Sequence, residues 1–234
     1  MDKSEKEKFL DALRGYEPPT GFSSRAAAKL TVEKLRGDEK VFVPEDIERL
    51  ESLDGLLAAA VLGQLVNDNE MTLGMIKPRT NEGIGLPDTD DEAALAIIDA
   101  IGLEKVPLQF HTLLDESQTK RFYGEETIAR LSQIPSEVAG ESVAEGYLRF
   151  ITSDPVTMML ASRSAGGAVE WLKEIVGATR PSQARPDSIR GRHARDSMLP
   201  NNLIHRSDTP IDAMREIEAF RSIVGELLVL GGDR

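Results

Sequence analysis

Cysteine is absent from the 234 residues. That excludes disulfides, thiolate zinc sites and cysteine nucleophiles. Histidine is scarce, at three, which leaves few ways to build a histidine metal site. Aromatic residues make up only 5% of the chain, so Leu, Ile, Val and Ala must fill the core. Long apolar runs are missing as well. The most apolar stretch, Gly55 to Val66 (GLLAAAVLGQLV), is too short to span a bilayer and is interrupted by Gln64. It reads as a buried helix. The charged start Met1-Asp2-Lys3-Ser4-Glu5-Lys6-Glu7-Lys8 is not followed by a signal-type apolar core. These absences predict a cytoplasmic protein that does not bind membranes.

What is present supports a folded chain. Hydrophobic residues reach 40%, enough to build a core. The 40 acidic and 28 basic side chains give a net charge of −12. A charge of that sign argues against nonspecific coating of nucleic acid or anionic membranes. The basic residues are not spread evenly. Residues 161–206 carry Arg163, Lys173, Arg180, Arg185, Arg190, Arg192, Arg195 and Arg206 against Glu170, Glu174, Asp187 and Asp196. This basic island in an acidic chain suits a compact anion, because the planar guanidinium fork matches phosphate oxygens. A solvated loop with surface ion pairs is the competing reading. His193 and His205 lie in the same stretch, which favours the anion site.

Residues 1–70 read as a helical segment. Ser4 and Glu7 have capping-box spacing. Pro44 opens a pattern with Ile47, Leu50, Leu53, Leu57, Val61 and Leu65 near one face, and that face must pack on the rest of the chain or on a partner. From Met71 the texture changes to alternating strands and helices. Strands are expected near 71–77, 106–114, 155–161 and 201–206. Helices are expected at Asp90 to Ile101, with Thr89 and Glu92 at capping-box spacing, from Ser117 to Tyr123, from Glu145 to Ile151 and from Ala168 to Val176. A final helix follows Thr209-Pro210. The first of these helices has a stripe of Leu95, Ile98 and Ile101, and the last one of Ile211, Met214, Ile217 and Phe220. Residues 124–142 read as irregular or a short helical insertion, and Gly177 to Pro200 as a long polar loop. The order implies a layered α/β or α+β domain.

His205 is the residue with the strongest chemistry. Leu203 and Ile204 would anchor it on a short strand, with Asn202 and Ser207 close in sequence. A neutral imidazole held in one tautomer is a competent nucleophile toward phosphorus. A surface or helix-capping histidine is the ordinary alternative. The nearby Asn, Ser and basic stretch make the nucleophile reading competitive.

Four motifs in order then carry a resemblance. Asn202-Leu203-Ile204-His205-Arg206-Ser207-Asp208 is similar to N-x-x-H-[GA]-S-D, the active-site signature of the nucleoside diphosphate kinase family. Met75-Ile76-Lys77-Pro78 is similar to that family's first-strand IKP motif. Gly177-Ala178-Thr179 through Pro186-Asp187-Ser188-Ile189-Arg190-Gly191 is similar to its G-x-T … P-G-[ST]-[IL]-R-G stretch. Ser153-Asp154-Pro155-Val156 is similar to its SGPV turn. The resemblance covers residues 71–234 and leaves 1–70 as an N-terminal helical extension. It implies a ferredoxin-like α+β fold, a four-stranded antiparallel sheet with helices packed on it.

The resemblance also implies roles. The phosphorylated nucleophile falls on His205, and the groups that orient it on Ser207 and Glu216. Phosphate contacts fall on Lys77, Lys173, Thr179 and Arg190, the tyrosine near the nucleophile on Tyr123, and the sugar contact on Asn202. The base-stacking aromatic falls near Val143, which cannot stack comparably. Arg206 stands where the family has Gly or Ala, Lys173 replaces an arginine, and Arg79-Thr80 replaces Asp-Gly after the IKP motif.

The implied activity is transfer of the γ-phosphoryl group from a nucleoside triphosphate to a nucleoside diphosphate through phosphohistidine. Mg²⁺ would be held through the nucleotide phosphates rather than by a protein cage. The partners would be nucleoside di- and triphosphates, and the protein a homo-oligomer. A second reading is a catalytically weak, kinase-like nucleotide-binding or assembly module. Arg206 and Val143 favour it; His205, Lys77, Asn202 and Arg190 speak against it. A third reading makes residues 1–70 the working part and the fold a platform.

Overall fold

The computed structural model describes residues 69–102, 106, 108–134, 142–163, 165–198 and 200–232, together with 51, 53–55, 57 and 58 of an upstream helical stretch. The helices expected over residues 1–50 lie outside the described residues.

Two strands are apolar nearly throughout. β1 (Met71–Ile76) is buried at every position, and β3 (Val156–Ser162) at all but its last. Strands covered on both faces can afford no polar alternation. They pair antiparallel at the middle of a four-stranded sheet of order β2-β3-β1-β4, with β2 (Leu108–Thr112) and β4 (Ile204–Arg206) at its edges. The four strands fall in the segments expected from the sequence.

Between them run α1 (Asp90–Ile101), α2 (Glu116–Tyr123), α3 (Glu125–Ser132), α4 (Val143–Ile151), α5 (Ala168–Val176), α6 (Ile189–His193) and α7 (Pro210–Gly232). Their starts follow the sequence closely. Thr89 accepts from the Glu92 amide at α1, Ser142 and Glu145 form a capping box at α4, and Thr209 accepts from the Asp212 amide at α7. Each such contact satisfies amides that the first helical turn leaves without partners.

The two faces of the sheet bury different sets. On one, Leu73, Met75, Met158 and Leu160 pack with Phe122 of α2 and with Ile217, Phe220, Ile223 and Val224 of α7. On the other, Ile76, Met159, Ala161 and Ile204 pack with Ile97 and Ile98 of α1 and Leu172 and Val176 of α5. Leu53 and Leu57 of the upstream stretch join the first set, and Asp54 pairs with Arg221 of α7 at 2.8 Å. So the apolar face read at 53 and 57 is covered by this chain itself.

Three expectations need correction. Leu95 of α1 is 37% exposed, and the helix instead buries Ala93, Ala94 and Ile97 beside Ile98 and Ile101. Ala94, Ile97, Ile98 and Ile101 are the side chains that join the second core set, which leaves Leu95 on the outer side of the helix. Ile211 of α7 is 74% exposed because it stands in the first turn, ahead of the core that begins at Ala213. The polar segment 177–200 is not one long loop. It contains 3₁₀ turns at Pro181–Gln183 and Asp196–Met198 and the helix α6, capped by Ser188 through the Gly191 amide.

Candidate active site

The site is built where β4 meets β1. Asn202, Leu203 and Ile204 form an i→i+2 turn in which the Ile204 amide donates to Asn202 O, and Leu203 takes φ 72°. A non-glycine residue reaches that backbone region only against a steric cost. Leu203 is held there by full burial, by its amide on Asn201 Oδ1 and by its carbonyl on the Lys77 amide. The turn is followed at once by β4, so His205 sits on a strand, opposite Met75.

Alternation along β4 separates neighbours. Ile204 belongs to the α1/α5 side, so His205 points to the α2/α7 side and Arg206 to the side of Ile204. The His205 imidazole is 19% exposed and lies edge-on to Phe122 and Tyr123, with ring centroids 5.3 and 5.1 Å away. Its Nε2 is 3.1 Å from Glu216 Oε2. The Ser207 hydroxyl donates to that same oxygen at 2.7 Å, and the Ser207 amide is bound to Leu73 O. The contact lacks the alignment of a hydrogen bond, but the carboxylate charge beside Nε2 favours the tautomer with the proton there, which leaves Nδ1 its lone pair.

A second group of residues is cationic. Lys77, directly after β1, is buried and donates to Asn202 Oδ1 at 2.7 Å and to Pro200 O at 3.1 Å. The Asn202 amide passes the chain on to Thr179 O. Burial, and after it the charge of Arg190, holds the Lys77 ammonium well below the usual lysine value. Arg190 is buried on α6 and donates to Asn202 O, Gly177 O and Ile204 O. Burial, and then Arg206, lowers its hold on the proton, yet a guanidinium stays charged at any working pH. Gly191 lets α6 fold tightly onto the turn that precedes it, where a Cβ would stand 1.9 Å from Arg185 O.

Lys77, Tyr123, Arg190, Asn202, His205, Ser207 and Glu216 thus belong to one connected site, with Thr179 joined by its backbone. Lys173 reaches the loop after β4 from α5, donating to Asp208 O at 3.2 Å. Val143 opens α4. The side chain that α4 brings to the cluster lies one turn later: the Tyr147 ring covers the Lys77 ammonium at 4.9 Å and meets Tyr123 edge-on at 5.1 Å. Burial pushes both phenols up, so both are neutral here. Arg206 is buried and paired with Asp208.

Sequence reasoning missed Tyr147 and Arg215. Tyr147 lay in Glu145-Gly146-Tyr147, four residues after the position taken for the aromatic, and helical spacing would have flagged it. Arg215 donates to Phe122 O at 2.6 Å and to Glu216 Oε1 at 3.2 Å. Being adjacent to Glu216 in the chain, it carried no separate signal.

The arrangement is a strand-borne imidazole, backed by a carboxylate and a serine, beside buried cations able to take phosphate oxygens. Residues 70–222 match the family model described as nucleoside diphosphate kinase. A nucleoside diphosphate kinase of Parafrankia sp. is 34% identical over 151 residues, which are 64% of this chain and 94% of that protein. One from Thermus thermophilus is 39% identical over 99 residues, 39% of this chain and 69% of that protein. For one from Chloroflexus aggregans, 36% identical over 107 residues, the match takes in 61% of its length. The crystal structure of nucleoside diphosphate kinase from Encephalitozoon cuniculi superposes with a TM-score of 0.50 at 20% identity, covering 64% of this chain and 88% of that one. That likeness is one of fold. The chain belongs to the nucleoside diphosphate kinase family.

Proposed function

We propose that the chain is a nucleoside diphosphate kinase that moves the γ-phosphoryl group of a nucleoside triphosphate to a nucleoside diphosphate by way of His205. The observation that carries this reading is the His205–Glu216–Ser207 contact. Glu216 lies at Nε2, which leaves Nδ1 as the nitrogen able to attack. Nδ1 forms a bond to the γ-phosphorus as the bond from phosphorus to the β,γ-bridging oxygen breaks. The nucleoside diphosphate leaves with that electron pair. The imidazole keeps its Nε2 proton, and the positive charge it gains is offset by Glu216. A terminal phosphate oxygen of the second nucleoside diphosphate then attacks the phosphohistidine, and the Nδ1–P bond breaks.

Lys77 and Arg190 are suited to the charge on the moving phosphoryl oxygens. Both are buried, so their fields act with little water between. Thr179 and Lys173 add donors at the rim. Tyr123 holds the imidazole edge, Asn202 is within reach of the sugar, and Tyr147 rather than Val143 supplies the aromatic wall. Mg²⁺ fits this donor set through the nucleotide. Among the described residues no group of three carboxylate or histidine side chains could hold an ion. The cations around Lys77 call for phosphate oxygens, and those oxygens with water would hold Mg²⁺. The ion would neutralise charge on the phosphates. Lys77, Arg190 and Thr179 would position those phosphates.

We take residues 71–234 as the catalytic domain and 1–70 as its extension. The protein would act in the cytoplasm as a homo-oligomer, without nucleic acid. Among the described residues no helix is long and apolar enough to cross a membrane. The test is incubation with [γ-³²P]ATP and Mg²⁺. Acid-labile label should appear on His205 and move to added GDP. A protein that takes no label would overturn the reading.

A further inference from the structure

Arg215 stands outside the roles given so far. It lies in the second turn of α7, beside Glu216 in sequence, and its guanidinium bridges two supports of the nucleophile. One Nη donates to Phe122 O at 2.6 Å, near the end of α2. The other donates to Glu216 Oε1 at 3.2 Å, with Asp212 Oδ1 at 3.7 Å. Glu216 Oε2 is the oxygen that faces His205 Nε2 and Ser207. Phe122 and Tyr123 are the rings that box the imidazole. So one fork fixes both the carboxylate that orients His205 and the helix end that walls it.

The local backbone is arranged for this contact. Gly124 follows α2 with φ 79°, and a Cβ there would stand 3.1 Å from Arg215 Nη1. Only glycine combines that backbone angle with room for the guanidinium. The carbonyls at a helix C-terminus lack intrahelical partners and attract a cation. A carboxylate with Ser207 on one oxygen and Arg215 on the other cannot swing.

We propose that Arg215 is a positioning residue for phosphoryl transfer, acting through Glu216 and the end of α2 to hold His205 in its Nε2-protonated orientation. The proposal rests on the phosphohistidine reading. It makes a claim that general stabilisation would not: the effect of Arg215 must pass through Glu216.

The experiment is a double-mutant cycle read by single-turnover labelling with [γ-³²P]ATP and Mg²⁺ on the full chain. Arg215→Met should slow phosphoenzyme formation by about tenfold or more with the KM for ATP within about twofold of the parent. In the Glu216→Gln background the same change should cost no more than about twofold, since coupled residues are non-additive. Equal losses in the two backgrounds, or no loss in the parent background, would overturn the proposal. If Arg215→Met does not fold, Arg215→Lys serves instead. It keeps the charge but cannot span both acceptors, so a loss of about twofold or more that vanishes with Glu216→Gln supports the bridge, and no loss rejects it.

A second measurement needs no turnover. Nitrogen-15 NMR of the imidazoles, with only three histidines in the chain and His205→Ala for assignment, should give one Nε2-protonated tautomer for His205 in the parent and a mixture in the Arg215 variant. An unchanged tautomer would reject the proposal. If the parent takes no label, the kinase reading fails, and the NMR comparison still decides the role of Arg215.

Discussion

Two groups of buried charge meet at β4, and they are compensated differently. Around His205, every strong charge has an opposite or a donor: Glu216 receives Ser207 and Arg215 and faces the imidazole. Around Lys77 and Arg190, among the described residues, the cations are bonded only to neutral oxygens, those of Asn202, Pro200, Gly177 and Ile204. The first group holds geometry without a ligand. The second is short of negative charge and, on the proposed function, would be completed by phosphate. On that reading positioning is built into the fold, while charge neutralisation would be left to the substrate.

The largest expected effect is removal of the proposed nucleophile. His205→Ala should lower phosphoenzyme formation by about a thousandfold or more, while nucleoside diphosphate still binds, because no neighbouring side chain replaces the imidazole. Exchange at the parent rate would dissolve the distinction between the two groups. Glu216→Gln should come next. The amide keeps the shape and loses the charge at Nε2, so kcat should fall by about a hundredfold with KM little changed. A change mainly in KM would put Glu216 with the ligand-binding cations instead.

Lys77→Met probes the uncompensated side. Nucleotide affinity should weaken by about tenfold to a hundredfold, the value of a charged hydrogen bond. The sign of its pH effect follows from the lowered folded-state pKa. Between that value and the usual lysine pKa the unfolded chain holds more protons, so this residue makes stability rise with pH across that window. Bound phosphate would restore the ammonium. Calorimetry in two buffers of different ionisation enthalpy should therefore find proton uptake on nucleotide binding within the window, and none with Lys77→Met. Identical heats in the two buffers for the parent would count against a depressed Lys77.

The smallest effect is expected at Arg206, on the sheet face opposite His205. Arg206→Gly should leave kcat within about threefold. A rise above about tenfold, some 1.4 kcal/mol of barrier, would mean that the arginine obstructs the phosphates.

How much of this the sequence disclosed depends on range. The strands and caps rest on local pattern, and Thr89, Thr209 and the apolar β1 and β3 segments were legible from it. Motifs order the chain, so His205, Lys77, Asn202, Arg190 and Glu216 could be named before any geometry. Local pattern failed where tertiary contact decides. Leu95 and Ile97 have equal claims to a helical stripe, and only the way α1 packs on the second core set selects Ile97. α6 is five residues long, too short for an apolar period, so it was hidden in a polar stretch. The side on which Arg206 lies required the register of β4 against β1.

Arg190 has a consequence of another kind. The Asn202 and Ile204 carbonyls it binds point away from β1, along the free side of the edge strand β4. A bare row of such groups is a template on which a foreign strand can pair. The guanidinium occupies that row, so the residue proposed to meet phosphate also takes up two of the carbonyls a foreign strand would need. An Arg190→Ala protein would therefore lose solubility as well as affinity, and its defects would need to be read at low protein concentration, where aggregation is slow.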